Sequence, residues 1–208
     1  MKANVSELDA LLRSIRACRH CVEMPSRVKL PHEPRPVLRA SATARLAVCS
    51  QAPGTRFYRS GIPFTDASGD RLRDWMGLSP QEFYDEQRVA IVPMGFCFPG
   101  QDAKGADLPP RSECAALWHQ RLFTALPQLE LILAVGSYAQ NWHLGEHAGA
   151  SLQATMLDWR QHSKRKAQPR VLPLPHPSWR NNGWLKRNPW FEEKLLPVLR
   201  REVRGLLR

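Results

Sequence analysis

Four short apolar runs, separated by stretches of helical periodicity, constrain the fold more than any other feature of the chain. "RLAVCS" (45–50), "RVAIVPM" (88–94), "LELILAVG" (129–136) and "RVLPLP" (170–175) run into Gly-, Pro- or Ser-containing segments and read as buried strands. Between them, "SGDRLRDWMGL" (68–78), with Ser68 as its candidate N-cap, "SECAALWHQRLFTAL" (112–126) and "SYAQNWHL" (137–144) carry helical spacing. A helix over 7–21 comes first, a Pro- and Arg-rich connector fills 22–44, and a C-terminal helix interrupted at Pro197 closes the chain. No internal repeat is visible. Strands alternating with helices predict an α/β fold: a three-layer αβα sandwich around a central, mostly parallel four-stranded sheet. At 208 residues one domain is expected over 1–208, with 1–44 as its N-terminal helix and connector.

In folds of this class the site lies beyond the carboxyl ends of the strands. "SQAPG" (50–54), "GFCFPG" (95–100) and "HPSWRNNGW" (176–184) each follow a predicted strand. His176 stands between Pro175 and Pro177, whose rings restrict the backbone on both sides, so it sits on a stiff, non-helical segment. Such a histidine suits a preset hydrogen-bond donor.

Charge points to the partner. The chain has 30 Lys and Arg against 19 Asp and Glu, a formal net charge of +11, which suits a polyanion, with nucleic acid first. A solvated basic surface is the alternative. Residues 159–190 concentrate this charge in Arg160, Lys164, Arg165, Lys166, Arg170, Arg180, Lys186 and Arg187 without one acidic residue. The N-terminal "MKANVSELDA" lacks the apolar core of a signal peptide, and every apolar run is too short for a bilayer, so a soluble, cytoplasmic, monomeric protein is expected.

The five cysteines are an odd number without an export signal, which argues against a disulfide framework. Cys18 and Cys21 form a CxxC, Cys97 and Cys114 a wider pair, and Cys49 lies within an apolar run and reads as core. Four thiolates on one centre suit zinc or an iron–sulfur cluster; buried, unliganded thiols are the alternative. His20, His119, His143, His147 and His162 have no distinctive surroundings.

"SQAPG", "GIPF" (61–64) and "HPSW" (176–179) resemble motifs of the uracil-DNA glycosylase superfamily, and the four cysteines resemble the ligands of its iron–sulfur branches. The resemblance runs from about Cys18 to about Pro189. It implies hydrolysis of the N-glycosidic bond of uracil, or another deaminated or damaged base, in DNA. It also implies a [4Fe–4S] cluster, with zinc as the less favoured occupant, on Cys18, Cys21, Cys97 and Cys114. By the same resemblance His176 donates to the departing base, Phe64 stacks on it, and Ala52, Pro53, Gly54 and Ser178 surround it. Gln51 and Asp66 handle water. Trp179, Arg180, Asn181, Lys186 and Arg187 contact DNA together with Lys164, Arg165 and Lys166, and Trp179 or Trp184 wedges into the gap left by the flipped base.

The chain departs from the family's pattern at the site itself. Gln51 stands where the iron–sulfur uracil enzymes usually carry glutamate, and Ala52 where some branches carry a water-activating Asp or Asn. Pro93, four residues before Cys97, replaces an asparagine that reads uracil, and proline has no side-chain amide. Asp66 is the nearest carboxylate, one residue out of register, with Asp70 behind it. Two other readings follow: a catalytically silent member that binds DNA or a modified nucleotide, and an iron–sulfur redox sensor on a nucleic-acid-binding fold, which needs the cysteines but not His176.

Overall fold

The computed structural model describes residues 5–26 and 28–208; residues 1–4 and 27 of the N-terminal segment lie outside them. In chain order the elements are α1 (Val5–Arg16), α2 (His20–Glu23), β1 (Leu46–Cys49), α3 (Thr55–Ser60), α4 (Ala67–Met76), α5 (Pro80–Phe83), β2 (Val89–Ile91) and α6 (Ser112–Thr124). There follow β3 (Leu131–Val135), α7 (Ser137–Leu144), α8 (Leu152–Leu157), α9 (Trp159–Lys164), β4 (Arg170–Leu174), α10 (Asn182–Arg187) and α11 (Leu196–Leu206).

The strands form one parallel sheet in the order β2-β1-β3-β4, with β1 in register against both neighbours (Ala47 beside Ala90 and Ile132). Because the strands are covered on both faces they read as unbroken apolar runs. Successive side chains still alternate in direction. Leu46 and Val48 join the larger cluster with Leu72 and Trp75 of α4 and Leu199 and Val203 of α11. Ala47 and Cys49 join the second with Leu11 and Ile15 of α1 and Ala115 and Leu122 of α6. Cys49 is core, as expected, and burial pushes its thiol up.

The helix expected over 7–21 is two pieces. α1 ends at Arg16, Cys18 lies in the break and Cys21 sits on the short α2, so the CxxC runs from the break into α2. The connector is extended where it matters: Arg39 pairs antiparallel with Ile91 and covers the outer edge of β2. Pro173 is tolerated inside β4 because that strand lies at the other edge, bonded only to β3. Near the C-terminus the interruption takes the form of a π-helical turn, Phe191–Leu195, ahead of α11 and Pro197. Proline's missing N–H accommodates the break in the α-helical ladder. Among the described residues, no helix is long and apolar enough to cross a membrane.

Candidate active site

The loops after β1, β2 and β4 enclose a cavity of about 540 Å³ at the carboxyl end of the sheet. Strand order reverses around β1, the crevice position favoured in open α/β sheets. The β1 loop and the start of α3 contribute Ser50 through Phe57, the loop between α3 and α4 contributes Phe64 and Asp66, and the chain after β4 contributes His176, Ser178 and Asn181. Of the residues singled out in the sequence, Gln51, Ala52, Pro53, Gly54, Phe64, Asp66, His176, Ser178, Trp179, Arg180 and Asn181 therefore meet at one place.

His176 is fixed from several sides. Its Nδ1 accepts the Ser178 N–H at 3.3 Å, which leaves the ring proton on Nε2. The Asn181 side-chain amide donates to the His176 carbonyl at 2.7 Å, an anchoring role with no counterpart in the sequence reading. Burial holds the imidazole below its ordinary pKa; Arg180 pushes the same way and Asp66 opposes both. At neutral pH the ring is an uncharged donor.

Phe64 is held more tightly still. It has φ of 57°, in the left-handed region that a bulky residue rarely enters. Its carbonyl accepts from Arg73 Nη1 at 2.9 Å and from the Tyr84 hydroxyl at 3.0 Å. Its ring packs edge-on against Phe83, centroids 5.9 Å apart. Gly69 makes room from below, since a Cβ there would come within 1.9 Å of the Phe64 carbonyl oxygen. Arg73, only 8% exposed, is neutralised by Asp70 at 2.6 Å. Asp70 is thereby committed away from the cavity. Asp66 caps α4 through Oδ1, accepting the Gly69 N–H at 3.1 Å, and still lines the cavity.

Two features escaped sequence reasoning. Asp107, at the end of a hairpin turn in the loop between β2 and α6, also lines the cavity. The other is His119, fully buried, whose Nε2 donates at 3.2 Å to the carbonyl of Pro93 in the cavity wall.

The expected DNA-contacting residues divide. Trp179 is 74% exposed at the cavity mouth, with the Arg180 guanidinium over its ring, and Arg71 joins this rim to α4 through the Ser178 carbonyl and the Asn182 side chain. Lys186 and Arg187 are exposed on α10, the next helix. Trp184 is not available as a wedge: it is 9% exposed, packs in the larger core cluster and donates to Gln153 at 2.7 Å. Lys164, Arg165 and Lys166 precede β4 and so lie at the amino end of the sheet, separated from His176 by a strand length of roughly 16 Å.

Cys18, Cys21, Cys97 and Cys114 line a second, apolar cavity with Phe96 and Trp118. Burial pushes the Cys21, Cys97 and Cys114 thiols up, Cys97 to about 12, and neighbouring cysteines add to the shift in each. The Phe96 N–H donates to Cys114 Sγ at 3.3 Å. Among the described residues no group of three or more His, Cys, Asp or Glu is placed to hold a metal ion.

Comparison with known families agrees with the geometry. A model of the uracil DNA glycosylase superfamily matches residues 39–200, so the match begins after Cys18 and Cys21 and takes in every loop of the first cavity. The sheet, its carboxyl-end cavity and this match over most of the chain make the protein a member of the uracil DNA glycosylase superfamily.

Proposed function

We propose that the protein is a DNA glycosylase that hydrolytically removes uracil, or another deaminated or damaged base, from DNA. The observation that carries this reading is His176 as a neutral donor, its free N–H on Nε2, in the same cavity as a rigidly held Phe64. A cavity of this size falls in the range of about 300–1,000 Å³ used for small ligands, which admits a flipped nucleotide.

The residues suit the reaction. Cleavage leaves positive charge on the sugar and sends the bonding electron pair to the base. The His176 Nε2–H meets the oxygen on which that negative charge gathers, a donor already oriented before the charge forms. Phe64 offers a face on which the unstacked base rests. Gln51 supplies an amide toward the attacking water and Asp66 a carboxylate beside His176. Trp179 is the wedge, with Arg180, Lys186 and Arg187 on phosphates.

Cys18, Cys21, Cys97 and Cys114 are the ligands of a [4Fe–4S] cluster in this reading. The fit rests on four sulfurs around one apolar cavity and an N–H already directed at Cys114 Sγ, since hydrogen bonds to sulfur are characteristic of such centres. The cluster would tie the N-terminal turn to the loop between β2 and α6. Gln51 and Pro93, in place of Glu and Asn, favour as a second reading a member that binds DNA without cutting it. Incubation with oligonucleotides carrying a panel of base lesions decides between them: abasic sites support the glycosylase, and retention of every base with tight binding supports the silent binder.

A further inference from the structure

The β1 loop has no carboxylate in "SQAPG", yet the cavity contains one directly over that motif. Asp107 Oδ2 lies 3.1 Å from the point where a Cβ on Gly54 would be, so a side chain at that position would crowd the carboxylate. The other oxygen, Oδ1, accepts from Gln101 Nε2 at 3.2 Å. The turn that presents it is internally bonded. Gln101 bridges Asp107, the Asp102 N–H donates to the Ala106 carbonyl at 2.9 Å, and Leu108 N–H donates to Gly100 at 2.9 Å.

Position separates Asp107, over the β1 loop, from Asp66, at the start of α4. Water must approach the anomeric carbon from the face opposite the departing base. Asp66 lines the same cavity as His176 and spends Oδ1 on the α4 cap. Asp107 lines the cavity over Gly54, in the β1 loop that also carries Gln51, and Oδ2 is the oxygen that faces Gly54. We infer that Asp107 is a catalytic residue of this site: the carboxylate missing from the β1 motif is supplied from the loop between β2 and α6, and it takes the proton of the attacking water.

The inference rests on the glycosylase reading above. In the step itself, the water oxygen bonds to C1′ as the C1′–N bond breaks and its electron pair leaves with the base. One water proton passes to Asp107 Oδ2, and the other stays as the hydroxyl of the abasic sugar. The base, anionic and hydrogen-bonded by His176, then takes up a proton, and Asp107 returns its own to solvent.

The test is a pH–rate profile of single-turnover excision by the full-length, cluster-loaded protein on a lesion the wild type cleaves, for the wild type, Asp107→Asn and Asp66→Asn. Asparagine keeps the acceptor toward Gln101, and Asp107 is exposed, so the melting temperature of Asp107→Asn should match the wild type. The expected result is a loss of about 100-fold or more in Asp107→Asn together with the acidic limb of its profile, with DNA affinity unchanged, while Asp66→Asn keeps that limb. If Asp107→Asn retains both rate and limb, the inference is overturned and the glycosylase reading stands. A limb lost in Asp66→Asn alone assigns the proton to Asp66 and also overturns it. Absence of abasic sites from the wild type on every lesion overturns both.

Discussion

Arg73 donates to the carbonyl of Phe64 at 2.9 Å, and through that bond a buried cation on α4 helps to hold an aromatic residue of the candidate site in a backbone conformation it would not otherwise keep. Tyr84 bonds the same carbonyl and Asp70 neutralises the cation, so the strained residue is fixed from several directions.

Gly69→Ala tests this directly. A methyl group cannot occupy a point 1.9 Å from a backbone oxygen, so Phe64 has to move. The single-turnover excision rate should fall at least about tenfold while DNA affinity stays within about twofold, because phosphate contacts dominate affinity. A variant that cleaves at the wild-type rate would show that the Phe64 conformation is immaterial to the reaction.

Acid should destabilise the fold through its buried histidines. Burial lowers His119 from 6.5 to about 4, and burial with the nearby His119 lowers His143 to about 3. The unfolded chain takes up these protons near pH 6.5 and the folded chain does not until the lower values. Their stabilisation is therefore complete above about pH 6.5 and lost as pH falls toward about 4 and 3, at up to about 1.4 kcal/mol per pH unit per histidine. Urea unfolding at about pH 7 and about pH 5 should show the loss, and His119→Phe should flatten it. An equal slope in the variant contradicts the assignment.

Salt dependence should separate the two ends of the sheet. Replacing Arg180 and Lys186 with alanine should reduce the slope of log affinity against log salt by up to about two units, one for each phosphate no longer neutralised. Replacing Lys164, Arg165 and Lys166, at the amino end, should leave the slope unchanged. The reverse outcome would put DNA on the other end of the sheet.

The cysteine centre has its own readout. Anaerobically purified protein should be brown with about four iron atoms per chain, and Cys97→Ser should lose the colour and melt at lower temperature. Stoichiometric zinc without iron contradicts the cluster.

The strands were legible because burial on both faces leaves continuous apolar runs, and the three loops that follow them were legible because a parallel sheet collects its site at one end. His176 stood out by its two prolines. Asp107 did not, since nothing in "QDAKGADL" marks the aspartate that a hairpin folds back over Gly54. Local sequence also cannot distinguish Trp179 from Trp184, five residues apart, because exposure depends on which indole finds Gln153 and the core. Lys164, Arg165 and Lys166 carried a topological signal: residues that precede a parallel strand lie at the end away from the site. The break after Arg16 was hidden because the apolar spacing of α1 ends just before Cys18 and nothing after it enforces a helix.

The most direct test of the account is a paired measurement on His176→Ala: the single-turnover excision rate on a lesion the wild type cleaves, and equilibrium binding to the same duplex. A donor preset on Nε2 acts where charge has developed on the base and hardly at all in the ground state. The rate should fall by about 100- to 1,000-fold with affinity and iron content intact. Wild-type cleavage by the variant, or a collapse of binding along with the rate, contradicts the role assigned to His176.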